Sequence, residues 1–189
     1  ILEKYKIIKK INNFCSFSSN FGGHPDKNKI RGVESSTGSL GHGFPFACGM
    51  ALGKKVKKEK GKVFVLIGDG ECNEGSIWEG AMMAAAQDLS NLTVIIDYNK
   101  WQATGRSDEV LQLAPLAEKW RAFGWDAHEA NCHDIDEISA LLSSSSDRPR
   151  AIIAHTVKGK GVSFMEDDNN WHYRIPSADE VDAAFSELG

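Results

Sequence analysis

The chain has 189 residues, 41% of them hydrophobic, which is enough for one substantial domain with a core of its own. Its 22 Lys and Arg stand against 26 Asp and Glu, a formal charge of −4 with the two signs mixed, so nothing points to a nucleic-acid or membrane surface. It contains no apolar run of about eighteen residues, which excludes an expected membrane span.

From the N-terminus, residues 2–14 read as a helix, with Leu2, Tyr5, Ile8 and Ile11 or Asn12 near one face. ILEKYKIIKKINNF lacks a signal-peptide core and cleavage site, and its not beginning with Met suggests a processed, trimmed or incomplete chain. Residues 16–40, rich in Gly and Ser, read as loops. Residues 42–58 read as a helix, small and apolar at its start. Its basic end, KKVKKEKGK over 54–62, reads as solvated, because no aromatic residues interleave with the lysines as a nucleic-acid groove would need. Strand 63–67, helix 75–89 and strand 92–97 form a β–α–β unit. Helix 113–124 stops at Gly124, strand 125–130 follows, and HDIDEISALLSSSS gives a helix capped near His133 or Asp134. Residues 150–157 are a strong strand, and 177–188 a short helix with Ser177 and Glu180 as a capping box. This alternation predicts an α/β fold, a three-layer α/β/α sandwich on a mostly parallel sheet. Cys15, Cys48, Cys72 and Cys132 are spaced for neither zinc nor a CxxC pair, and a reducing, cytoplasmic setting is expected.

The most informative segment runs from VFVLI through Gly68-Asp69-Gly70 to LTVIID and Tyr98-Asn99. Asp69 and Asn99 each stand just past a strand, and in an open parallel sheet neighbouring strand ends form the ligand crevice. A carboxylate and an amide oxygen there suit a hard cation such as Mg²⁺. The flanking glycines let backbone N–H groups approach phosphate oxygens. On the residues alone, ordinary turn chemistry is an equal reading.

Five separated stretches carry a resemblance: GGHPD at 22–26, STGSLGHG at 36–43, GDGECNEG at 68–75, DYN at 97–99 and HTVKGKGVSFME at 155–166. Together they resemble the thiamine diphosphate enzymes of the transketolase type, over about residues 22–176. The resemblance implies a single diphosphate-binding domain over 1–189, with a lead-in over 1–21 and a terminal helix over 177–189. It implies thiamine diphosphate with Mg²⁺, Ca²⁺ or Mn²⁺ being able to substitute. The metal would be held by Asp69, Asn99 and the backbone carbonyl of Trp101. Gly68, Gly70 and Glu71 would lie along the cofactor, although Glu71 is equally well explained as a helix-start carboxylate. Gly38 and Leu40 would lie beside its rings, and Glu74 near a subunit interface linking two active sites. His24 would face the reacting end of the substrate, and His172 the diphosphate and the acceptor. His42 stands where relatives often carry Gln. His155 reads as structural, and Lys158 and Lys160 as either phosphate-flanking or solvated.

The resemblance covers only the diphosphate half of such enzymes, and the histidine segments usual upstream of the GHP loop are missing. The chain therefore resembles the N-terminal subunit of a split transketolase, shortened at its front. The implied partner is a pyrimidine-domain subunit, in a heterotetramer, with a homodimer as the form expected alone. The implied reaction moves a two-carbon glycolaldehyde unit from a ketose, phosphorylated by expectation, to an aldose. The alternatives are a deoxyxylulose-phosphate synthase-like carboligase and a non-catalytic scaffold.

Overall fold

A computed structural model describes residues 4–8, 11 and 13–189. Helix α1 (Gly43–Lys57) leads into β1 (Val63–Gly68), a 3-10 turn (Gly70–Asn73) and α2 (Gly75–Ala86). Strand β2 (Leu92–Tyr98) is followed by a small hairpin, β3 (Trp101–Gln102) and β4 (Gly105–Arg106), and a single helical turn, α3 (Ser107–Val110). Then come α4 (Leu116–Ala122), β5 (Asp126–Asn131), α5 (Ile135–Ser143), β6 (Arg150–His155), a 3-10 turn (Asn169–His172) and α6 (Ala178–Leu188).

The main sheet has the order β1-β2-β6-β5 and is wholly parallel. Its period-two faces differ in cover. Val63, Ile67, Val94, Ile96, Ala151 and Ile153 face one packed core with α1, α2 and α4. Phe44 of α1 sits edge-on to Trp120 of α4 at 5.7 Å between centroids, and Trp78 of α2 lies 5.4 Å from the same ring. Gly80 makes this close packing possible: a Cβ there would lie 2.9 Å from the Phe44 ring. On the other face Ile138 of α5 lines a cleft together with Ile95, Ala154 and Leu66. That second helical layer thins out over β1, where Phe64 is 51% and Leu66 70% exposed.

The local chemistry explains the ends. Asp134 caps α5 by accepting from the amides of Asp136 and Glu137, and Ser177 and Glu180 form the expected capping box on α6. The expected helix over 113–124 begins only at Leu116, because Pro115 is its N-cap. The expected helix over 2–14 lies partly outside the described residues, and those described within it, such as 4–8, are turn and bend. No helix among the described residues is long and apolar enough to cross a membrane.

Candidate functional site

The register pairs Gly68 of β1 with Asp97 of β2, so the residues that follow, Asp69 and Asn99, leave the sheet side by side at its C-terminal edge. Asp69 is 1% exposed. Its Oδ1 accepts from the Gly70 amide at 2.8 Å. Its Oδ2 accepts from the Lys100 amide at 2.9 Å and the buried Ser107 hydroxyl at 2.8 Å. Burial pushes the Asp69 carboxyl upward, against these hydrogen bonds, and Asp97 adds to the rise. No ion pair is made by Asp69 among the described residues. A buried carboxylate without a countercharge is costly unless a cation joins it.

Asn99 is oriented from both sides. Its amide nitrogen donates to Asp97 Oδ2 at 3.1 Å, and its carbonyl accepts from the Trp101 amide at 2.9 Å. Asp97 is itself held by a hydrogen bond from the Thr156 hydroxyl, across to the loop after β6. The amide oxygen is thereby distinguished from the nitrogen, which a hard cation requires. No cluster of three or more His, Cys, Asp or Glu side chains suited to a metal ion exists among the described residues. One carboxylate, one amide oxygen and a backbone carbonyl fit a cation that takes its remaining oxygens from a phosphorylated ligand and water.

Two clefts flank this point and share Leu66 as a wall. One, of about 310 Å³, is lined by His24, Gly38, Leu40 and Glu71. The other, of about 480 Å³, is lined by Asp97, Asn99, Thr156 and Lys158. Gly38, at φ +124, lets the His24 ring lie against it, since a Cβ there would be 2.8 Å from His24 Cγ. Gly41, at φ +75, would bring a Cβ 2.7 Å from Ser76 Oγ and 2.8 Å from Glu74 Cβ.

Glu71 does more than stabilise a helix start. Its two oxygens accept from the Gly41 amide at 2.9 Å and the Gly68 amide at 3.4 Å, tying the glycine loop to the end of β1. The Gly68 and Gly70 amides are thus engaged by Glu71 and Asp69 rather than pointing outward. The segment after Asp69 is a 3-10 turn, and α2 starts only at Gly75. Glu74 is exposed and makes no side-chain cap to α2.

His24 and His172 are both exposed and line different regions. His172 Nδ1 accepts from the Lys158 ammonium at 3.3 Å, which leaves the proton of the neutral ring on Nε2. Burial first and then Lys158 lower the His172 pKa. His42 folds back to its own loop, with Nδ1 3.0 Å from the Leu40 carbonyl. His155 pairs with Glu129 at 3.0 Å and lies edge-on to Tyr98, 5.3 Å between ring centroids. Lys160 is paired with Glu166 at 3.2 Å, so of the two lysines Lys158 is the one at the cleft. Cys72 is 1% exposed and its thiol pKa is driven up by burial, a packed thiol rather than a reactive one.

Sequence reasoning missed Asp97, Ser107 and Thr156. Asp97 stood inside the quoted DYN stretch, but no local signal marks the other two, whose partners lie 38 and 59 residues away.

Residues 2–189 match the family described as transketolase, thiamine diphosphate binding domain. One subunit of the apulose-4-phosphate transketolase of Actinobacillus succinogenes is 45% identical over 172 residues, covering 90% of this chain and 62% of that protein. One subunit of the 6-deoxy-6-sulfo-D-fructose transketolase of a Clostridium species is 39% identical over 168 residues, covering 87% and 61%. The chain thus spans about three fifths of the length of these relatives. The crystal structure of transketolase from Campylobacter jejuni superposes with a TM-score of 0.88 at 28% identity, over 94% of this chain and 29% of that one.

Proposed function

The chain belongs to the transketolase family through its thiamine diphosphate binding domain, and on that premise we propose that it is the diphosphate-holding half of a two-chain transketolase. The observation that carries this reading is Asp69, a wholly buried carboxylate with no cationic partner among the described residues, beside an amide oriented for ligation. In this reading Asp69, Asn99 and the Trp101 carbonyl hold Mg²⁺, and Ca²⁺ or Mn²⁺ can take its place. Gly68 and Gly70, with their amides held by Glu71 and Asp69, would pass beside the diphosphate along with Glu71 and His172, while Gly38 and Leu40 would flank the rings. Bound thiamine diphosphate supplies the electron sink for cleaving the ketose and passing its two-carbon unit to an aldose.

The protein's own groups orient and protonate. His24, against Gly38 at the mouth of the first cleft, meets the donor's hydroxyls and carbonyl. His172, with its lowered pKa, stays neutral at pH 7 and offers Nε2–H toward the diphosphate or the acceptor. Leu40, 57% exposed, offers an apolar wall to the first cleft. Relatives named for a phosphorylated ketose and a sulfonated one support a donor with an anionic end, for which Lys158 is the available cation.

Transketolases in which this chain covers only 26%, as in the human protein, carry much more polypeptide. The relatives that are themselves named as subunits support a second chain, which in this reading brings the pyrimidine half in a heterotetramer of two and two. Glu74, exposed beside the Gly41 loop, then lies at the contact with that second chain. The test is steady-state ketol transfer by the chain together with its pyrimidine-domain partner, over phosphorylated, sulfonated and free ketoses. Transfer that needs both chains is expected. No transfer despite bound thiamine diphosphate, or carbon dioxide release from pyruvate instead, would overturn the assignment.

A further inference from the structure

The loop carrying Lys158 and His172 is strapped to the hairpin that follows Asn99. Arg106 of β4 donates through both guanidinium arms to the two oxygens of Asp167, at 2.7 and 2.6 Å. The guanidinium carbon lies over the Trp101 ring, 3.7 Å from its centroid. The Trp101 indole N–H closes the triangle by donating to Asp167 Oδ1 at 2.8 Å. Asp167 takes a left-handed backbone at φ 56, and its amide donates to the Lys158 carbonyl at 2.9 Å. One residue therefore joins Trp101 and Arg106 through its side chain and Lys158 through its backbone, and Lys158 reaches His172.

A second set of contacts runs parallel. The Asn169 side-chain Nδ2 donates to the Gln102 backbone carbonyl at 3.0 Å. Gln102 in turn packs on the turn beside Asp69: a Cβ on Gly70 would lie 2.6 Å from Gln102 Cβ. The hairpin is therefore wedged between the Asp69 turn and the 158–172 loop.

We propose that Arg106, Asp167 and the Trp101 ring form a positioning strap that sets the Asn99–Trp101 backbone and the Lys158–His172 loop in mutual register before any ligand arrives. This rests on the reading of Asp69, Asn99 and Trp101 as the metal site. The strap touches neither metal nor substrate. Its work is geometric, and the geometry depends on the fork and flat face of arginine, which lysine lacks. Arg106 and Asp167 are both partly exposed, and an exposed pair adds little to global stability. Positioning and folding are thus separable.

The experiment uses the full chain and the variants Arg106→Lys, Asp167→Asn and the swap Arg106→Asp/Asp167→Arg. Hydrogen exchange without ligand is read across the strap. Arg106→Lys is expected to speed exchange in residues 157–172, and Asp167→Asn in residues 99–106, with Tm little changed. Calorimetry with Mg²⁺ and thiamine diphosphate, run with the pyrimidine-domain partner present, is expected to show Mg²⁺-dependent affinity falling about 10-fold or more in both single variants, as for other groups that orient metal ligands. The swap is expected not to restore it, since the arginine then no longer lies on Trp101. Exchange effects confined to each substitution's own segment would overturn the strap, as would unchanged affinity in a wild-type background that binds. A wild-type chain showing no Mg²⁺-dependent binding would instead sink the metal-site reading, and the exchange result would still decide whether the two segments are coupled.

Discussion

At Asp69 three donors, the Gly70 and Lys100 amides and the Ser107 hydroxyl, converge on one carboxylate that burial penalises. Asp69→Ala removes the charge and orphans buried donors, so a loss of about 1–3 kcal/mol of stability is expected. Mg²⁺-dependent thiamine diphosphate binding should vanish with it in calorimetry, and binding that survived would rule out the carboxylate as a ligand. The thiols divide just as sharply. Cys48 is fully buried with its pKa pushed up to about 12, and Cys72 is buried beside two carboxylates, while Cys15 is exposed. Iodoacetamide at pH 8 should modify Cys15 first and leave Cys48 and Cys72 intact until the chain unfolds. Peptide mass mapping would show this, and early loss of Cys72 would contradict its packed role. Asp69 and Asn99 were legible because each ends an apolar strand run. Thr156, Arg106 and Asp167 were not, because a hydroxyl or a charged side chain gives no local sign of a partner 59 to 61 residues away.

Among elements, β1, β2 and β6 were readable as short apolar runs, and α6 as a capping box before an amphipathic stretch. The β3–β4 hairpin was invisible, since two-residue strands have no periodicity to detect. Nor did the sequence disclose why β6 begins with a charge. Arg150 is 6% exposed. It donates to Asp126 Oδ2 at 3.0 Å and to the carbonyls of Leu141, Ser144 and Ser145, stitching β5 and the end of α5 to β6. Burial works to raise the Asp126 carboxyl, but hydrogen bonds from Arg150, Ser146 and His128 prevail and leave it lowered. A carboxylate depressed in the native state stabilises fully above its unfolded value of about 4 and loses that contribution as pH falls below it. Arg150→Gln should therefore cost about 2–4 kcal/mol near pH 7, the full figure for a buried pair being discounted for the partly exposed Asp126. The gap in Tm between wild type and variant should narrow from pH 6 to pH 3. A constant gap in thermal denaturation would mean that Asp126 is not the partner that matters.

For the molecule as a whole, the fold class and the parallel sheet both followed from the alternation of strands with helices. Strand order did not follow, because identical apolar runs carry no address for their neighbours. The bare stretch over Phe64 and Leu66, with Leu40 and Met82 also half exposed or more, fits a chain that completes its site with a partner. Alone it should bind thiamine diphosphate weakly and show no turnover, as titration calorimetry and a ketol-transfer assay would reveal. Full activity from the single chain would contradict the division of labour. The strand order also has a kinetic side. The last of the described strands, β6, lies between β2 and β5 and hydrogen-bonds to both. Until it leaves the ribosome, β5 has no neighbour among the described strands and β2 shows an open edge, the kind of surface that recruits wrong strands. A chain ended after Asp147 should aggregate and give no cooperative melting transition, whereas one ended after Pro176 should keep a cooperative one. Translation time, rather than the equilibrium stability of the finished sheet, then sets how long each new molecule remains open to misassembly.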